Sequence, residues 1–550
     1  MSALLMLGGG ILFFVLAYRF YGGWISRQLG LGRERNTPAH TMRDGVDYVP
    51  APMPVLLGHH FASIAGAAPI IGPVLAAQFG FLPVFLWVIL GGAFLGAVHD
   101  FTALVASVRH EGRSIGMIIE RYLGSTGKTL FLLFAWAALI LVVAVFTLVV
   151  ADTFVRTPSV ATASLLFIVL AVSFGVSVYR ANVSFVLASV IGIALLGAAL
   201  YLGVAFPFPR LFPLPEQGMD PMVLFWEVML LVYVFIASVT PVNILLQPRD
   251  YLNSFLLYAV LLLSVVAVFV SPPEIKGEAF VTANVEGLGP IFPILFVTVA
   301  CGAISGFHAM VASGTTAKQL DRESDARPVG YGAMLVESLL ALLALLTAVV
   351  VTRSEFVSLL MASGRANPVH VFAVGTSGFL SALGIPVEFG LGFAALAVSA
   401  FAMTSLDTAT RLARFTVQEL AMKAGSRQEE GNLLARNRFV ATALTVAASA
   451  LLLLSGETMT LWKVFGSANQ LLAALALLAV TVWLAATKRR CLYTLIPMVI
   501  MYVVTVSALV LQVVQIVSSP KPEYLLLAVA VLLLVLALLL AYNTLRRRKA

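Results

Sequence analysis

An all-α integral membrane protein is the fold class that this sequence predicts. Three observations carry the prediction: 60% of the 550 residues are hydrophobic, only 11% are charged, and the mean hydropathy is +1.00. A water-soluble domain carries roughly 25% charged residues, so this chain lacks the polar surface to cover itself in water. Its apolar residues fall into about fifteen runs (a range of roughly 14–18), each near the ~20 residues that a helix needs to cross a bilayer. The 34 Lys and Arg against 26 Asp and Glu leave a net charge of +8. That excess lies in short stretches beside apolar runs, where retention of basic loops in the cytoplasm explains it, so nucleic-acid binding is excluded. Two cysteines, Cys301 and Cys491, build neither a disulfide framework nor a cysteine metal site.

In order, the runs centre on residues 3–20, 52–79, 81–108, 128–151, 159–179, 182–206, 221–246, 253–271, 289–314, 330–352, 384–410, 438–455, 461–486, 491–517 and 523–543. The first is a retained span, because no basic stretch precedes it and no small-residue cleavage site follows it. Glycine and proline occur inside the runs as well as between them, which membrane helices tolerate when neighbours re-satisfy the backbone. The segment 355–382 is expected to be re-entrant or interfacial, broken by Gly364, Pro368 and Gly375. Counted as one more crossing, it would invert the side of every later basic loop.

Lysine and arginine mark the cytoplasmic loops. The segments 19–43, 109–128, 318–327, 411–438 and 488–490 and the tail Arg546–Lys549 all fall on one side if fifteen spans start outside. The loops with Glu216 and Asp220, with Glu274, Glu278 and Glu286, and with Glu457 then fall on the other. The expectation is an N-terminus outside and a cytoplasmic C-terminus.

Solute carriers commonly bind substrate at midplane, where interrupted helices free backbone groups. The second run contains Gly58, Gly66, Pro69, Gly72 and Pro73 and is the first expected break. The seventh ends Thr240-Pro241-Val242-Asn243 and is the second. Five spans apart and opposite in direction, they suggest a five-plus-five inverted repeat with discontinuous first and sixth helices, a LeuT-like (APC-type) core as in amino-acid/sodium carriers. The division is then 1–50, an extra helix and cytoplasmic loop; 51–410, the transport core; and 411–550, peripheral helices and a basic tail. The substrate-binding candidates are His59, His60, Ser63, Gly66, Ala67, Thr240, Asn243 and His308. Ser313, Thr315 and Thr316, closing the ninth span, are candidate cation ligands; the alternative is that each bonds its own helix.

The motifs GHHFASIAGAAPIIGPVLAAQFG (58–80), HDFTALVASVRHEGRSIG (99–116), LLQPRDYLNSF (245–255), SGFHAMVASGTTAKQL (305–320) and LWKVFGSANQLLAALAL (461–477) together resemble the carbon starvation protein CstA family, also called the peptide transporter carbon starvation family. The resemblance implies a cytoplasmic-membrane secondary transporter, induced on nutrient limitation, that takes up peptides. Related proteins are linked to pyruvate uptake with protons.

Ionisable side chains inside a span cost roughly 2.5–3.5 kcal/mol on insertion scales and are functional candidates by default. His99, Asp100, Glu227 and Glu337 are candidate proton carriers. Arg249 with Asp250 and Asp407 with Arg411, the latter an i,i+4 pair, are candidate gate residues, and Asn469-Gln470 reads as interhelical glue. His59, His60, His99, Asp100 and His308 have ligand-competent atoms but no local metal-ligand spacing, so no metal is expected. No GxxxxGK[ST] or HExxH motif occurs, which leaves no support for ATP-driven transport, zinc-dependent hydrolysis or a cofactor. The sequence therefore predicts a secondary transporter whose partners are the bilayer, a peptide or small carboxylate, and a proton or sodium ion. A solute-binding channel or sensor is the rival from another class.

Overall fold

The computed structural model describes every residue except 1, 33–34, 46, 180, 182, 214–219, 242–243, 363–365, 423–431, 454–457, 521 and 550. Asn243, Glu216, Gly364 and Glu457, named above, lie outside the described residues. Among the described residues, twelve helices are long and apolar enough to cross a membrane, and the bent pair Met53–Ile64 and Ala68–Phe79 makes a thirteenth span. The 16-residue helix Arg438–Leu453 and the interrupted pair Ile291–Thr298 and Gly306–Gly314 account for the remaining two of the expected runs.

The labels used below follow the chain. Helix α1 is Ala3–Leu29; α2 is Met53–Ile64 and α3 Ala68–Ala76; α4 is Phe81–Arg109 and α5 Ile115–Arg156. Next come α6, Pro158–Tyr179; α7, Phe185–Ala205; α8, Pro221–Val239; and α9, Leu246–Val270. The second interrupted span is α10, Ile291–Thr298, with α11, Gly306–Gly314; α12 is Glu323–Val349. The chain continues with α13, Arg353–Leu360; α14, Pro368–Ser381; α15, Val387–Ala421; and α16, Arg438–Leu453. It closes with α17, Thr458–Ala486; α18, Leu492–Val517; and α19, Tyr524–Lys549.

Both breaks have local causes. After α2, Ala65 leaves helical geometry (ψ 72°), and α3 restarts with Pro69, which has no N–H to continue the ladder. The two halves are bent by 49°. Between α10 and α11, residues 299–305 are non-helical. The breaks cross closely, for a Cβ on Gly72 would sit 2.5 Å from the Thr298 carbonyl oxygen.

The structure corrects the expected second break. Helix α8 ends at Val239, and Thr240-Pro241 opens the connection to α9 instead of interrupting a span. The second interrupted span is α10–α11, seven spans after α2–α3, with the hairpin α6–α7 among the helices between them.

At the centre α5 lies along α15, and the surrounding packing is paired. Helix α8 packs on α5 and α15, as does α16; α9 packs on α15 and α2, while α17 packs on α5 and α10. Likewise α3 packs on α12, and α11 on α4. Both α4 and α12 contain a π-turn, at Gly92–Gly96 and Arg327–Gly332.

The segment 355–382 forms the exposed helix α13 and the buried helix α14, which packs on α3, α12 and α15. The 14 residues of α14 rise about 21 Å, short of the ~30 Å hydrocarbon core. Gly384, at φ 81°, turns the chain back into α15.

Candidate functional site

The two breaks border a narrow cavity of about 10 Å³, room for a single water-sized group. Ile64, Gly66 and Ala68 line it from the first break, Cys301 and Phe307 from the second, Val142 and Phe146 from α5, Ser405 from α15, and Phe465 and Asn469 from α17. The walls are mostly apolar, with few polar groups to orient a solute, as small-molecule sites generally are. Asn469 holds the second break in shape. Its Oδ1 accepts the Phe307 N–H at 2.9 Å, and its Nδ2 donates to Ser305 Oγ at 2.9 Å. Ser405 Oγ points at Gly66 and has no hydrogen-bond partner among the described residues.

Beside the cavity lies a chain of fully buried ionisable groups. Asp100 pairs through Oδ1 with His99 Nδ1 at 2.7 Å and through Oδ2 with His308 Nδ1 at 2.8 Å. On the far edge of the ring, His308 Nε2 stands 3.4 Å from Glu337 Oε2. Cys301, His308 and Glu337 each bring a lone-pair atom within 4.8 Å of the other two. Sequence spacing gives no hint of this convergence; the fold assembles it from α4, α11, α12 and the second break. His60, also fully buried, bonds Thr316 through Nδ1 at 2.9 Å and so ties α2 to the segment after α11.

A second buried network joins α8, α9 and α15. Arg249 pairs with Asp407 and with the Tyr233 hydroxyl, and Tyr233 donates to Asp407 at 2.8 Å. Asp250 lies 3.7 Å from Arg249. Arg411 does not pair with Asp407 as the i,i+4 spacing suggests: it donates to the Ala237 and Thr240 carbonyls, and Arg414 donates to that of Ser238. Those carbonyls at the end of α8 have no helical partners of their own.

The structure thus brings together Gly66, His60, His99, Asp100, His308, Glu337 and Thr316, and separately Arg249, Asp250 and Asp407. Other candidates fall elsewhere. Ser63 bonds the His59 carbonyl, Ser313 that of Ala309 and Thr315 that of Val311, so these hydroxyls serve their own helices. Thr240 bonds Ile236 in the α8–α9 connection. His59 is half-buried on α2, and Ala67 is buried at the start of α3 without lining the cavity. Glu227 is buried on α8, away from both networks. Cys301, Ser405 and the site role of Asn469 were not legible as such. The small-residue run Ala300-Cys301-Gly302-Ala303 is the signal that marks the break they surround.

The sequence matches the family described as "Carbon starvation protein CstA" over residues 2–364 and 361–508. Peptide transporter CstA of Campylobacter jejuni is 34% identical, over 92% of this chain and 79% of that protein. Peptide transporter CstA of Bacillus subtilis is 34% identical over 92% and 89%. Pyruvate/proton symporter BtsT of Escherichia coli is 32% identical over 95% and 83%. Among solved structures, a manganese transporter of Eremococcus coleocola is 11% identical, covering 92% of this chain and 99% of that one at a TM-score of 0.45. On its sequence, this multi-span membrane protein belongs to the carbon starvation protein CstA family.

Proposed function

We propose that the protein is a secondary active transporter of the bacterial cytoplasmic membrane that takes up peptides under carbon starvation, driven by protons. The observation that carries this reading is the meeting of two helix interruptions around a small, mostly apolar cavity, the arrangement by which a carrier presents freed backbone groups to a solute. The names of the relatives support the substrate class. We further propose that residues 53–270 and 291–486 are the two inverted halves of the transport core, since their helices pack in matching pairs about α5 and α15. Hairpin α6–α7 is an insertion in the first half and α13–α14 one in the second. The N-terminus is placed outside and the C-terminus in the cytoplasm on the distribution of basic loops. The Arg249–Asp407–Tyr233 network is the proposed gate.

A second substrate reading is pyruvate or a similar small carboxylate. Pyruvate/proton symporter BtsT of Escherichia coli, 32% identical over 95% of this chain, supports it. Peptide and pyruvate share the carboxylate, which partly positive half-helix ends attract.

Uptake of a labelled dipeptide and of labelled pyruvate into proteoliposomes tests both readings, under an inward proton gradient, a sodium gradient, or neither. Accumulation of one solute with the proton gradient alone is expected. Equilibration without accumulation in all three conditions means a channel or facilitator and overturns the carrier.

A further inference from the structure

We infer, resting on the transporter reading above, that His308 and Glu337 together carry the coupling proton and pass it to Cys301's side of the substrate cavity. The valences of the buried chain support the assignment. Both Asp100 oxygens are taken, one by His99 and one by His308. What stays open is His308 Nε2 and both oxygens of Glu337, none of which has a hydrogen-bond partner among the described residues. An imidazole nitrogen and a carboxylate oxygen 3.4 Å apart, with the Cys301 thiol close to both, are placed to share one proton.

Charge arithmetic then gives the cluster two states. With Asp100 ionised, a proton on each His308 nitrogen and a proton on Glu337, the cluster is neutral. Loss of one proton leaves −1 in a place where all four side chains are fully shielded. A net charge there is costly, so release requires water to reach the cluster, which an enclosed site allows only when it opens.

The groups facing His308 are Asp100 from α4, bonded in turn to His99; Glu337 from α12; Cys301 from the break; and His60 from α2, within Coulombic range of Asp100 and His308. Helix α17 adds the uncharged Phe465 and Asn469 to the cavity wall. Cys301 is common to the two places: it lines the cavity and lies within 4.8 Å of His308 and Glu337 atoms. A substrate carboxylate beside Cys301 and a cluster at −1 repel each other, so the anion enters together with a proton and leaves with it. The step is a symport of one proton per carboxylate, with no bond made or broken except the N–H or O–H that carries the proton.

The test is Glu337→Gln in proteoliposomes with two readouts: accumulation driven by a proton gradient, and exchange of labelled for unlabelled substrate at equal pH on both sides. Exchange needs the substrate site but no net proton movement. The expected result is exchange within about twofold of the unmodified protein and accumulation reduced at least tenfold, with Glu337→Asp recovering part of it. Proton-driven accumulation by Glu337→Gln at the normal level overturns the inference. So does equal loss of exchange and accumulation in a folded variant, which means a packing role. Should Glu337→Gln not fold, His308→Gln carries the same expectation and the same refutation. Failure of the unmodified protein to exchange either substrate strikes the transporter reading instead, whatever the variants do.

Discussion

At the scale of single residues, the cavity depends on Gly66 having no side chain. A Cβ there collides with Ser405 Oγ and comes 3.2 Å from Ser405 Cβ and 3.5 Å from the Phe146 ring. Gly66→Ala is therefore expected to cut uptake at least tenfold while the protein still folds, and Gly66→Ala with Ser405→Gly to recover a large part, because the collision is with that one side chain. Equal loss in the single and double variants, measured by substrate exchange, would show that the backbone of Gly66 matters and not its room. The Arg249–Asp407 pair makes a different kind of claim. Removing one partner of a buried pair strands the other charge and typically costs about 3–5 kcal/mol, whereas replacing both is far milder. Arg249→Met and Asp407→Asn should each lower the unfolding temperature in detergent more than the two combined do. Additive losses would mean that the pair is not coupled. The charged members of both networks were legible in the sequence, since an ionisable group within an apolar run declares its own cost. Ser405, Asn469 and Cys301 were not, because neutral polar residues in membrane helices usually serve as interhelical glue or bond their own backbone, as Ser313 and Thr315 do here.

Among the helices, the decisive contact is the crossing of α3 with the end of α10. Gly72 seats the Thr298 carbonyl where any side chain would stand, so Gly72→Val must push the broken helices apart. The expected outcome is loss of both substrate exchange and thermal stability, and normal exchange would remove this crossing from the account of the site. The sequence disclosed the first break and misplaced the second for one reason: proline and glycine mark a helix end as readily as a helix interruption. Pro69 and Gly72 lie inside a span, but Pro241 lies in a connection. The true second break runs through 299–305 without a proline. Helix α13 supplies a test at its own scale that is independent of transport. Its first turn carries a capping box in which the Thr352 N–H and hydroxyl both donate to the Glu355 carboxylate at 2.8 Å. Those bonds hold the Glu355 pKa below the usual glutamate value. A lowered folded-state pKa means that the cap is complete above the ordinary value of about 4.3 and is lost as pH falls through the depressed one. Amide exchange in α13, corrected for its intrinsic pH dependence, should therefore rise in acid, and Thr352→Ala should raise it at neutral pH as well. A flat profile would refute the cap.

Across the whole molecule, the connections sort into two sets that touch only within themselves in the contacts described here. In one set Ala51 bonds Gln319, His40 pairs with Asp321, Arg109 with Glu323 and Lys128 with Glu120, while Arg489 donates to Leu29 and Asn543 to Leu123. In the other, Ala3 bonds Pro273, Lys276 bonds Val349, Val281 bonds Phe79, Arg353 donates to Gln78 and Lys463 to Gly287. Fifteen crossings from one face to the other generate these sets, provided that α13 and α14 together add none. The first set holds the basic loops, so it is the one that retention of positive charge assigns to the cytoplasm. Single cysteines in a Cys491→Ser background, with the buried Cys301 left in place, check both the sides and the count. Glu278→Cys and Ala382→Cys should react with a membrane-impermeant maleimide in intact cells, and Lys488→Cys only after permeabilisation. Ala382 is the informative position because it follows α14 directly. If Ala382→Cys is protected while Glu278→Cys reacts, α14 crosses the bilayer despite its length. If Lys488→Cys reacts in intact cells and Glu278→Cys does not, the whole molecule is inverted, and proton entry must then be argued from the opposite face of the His308–Glu337 cluster.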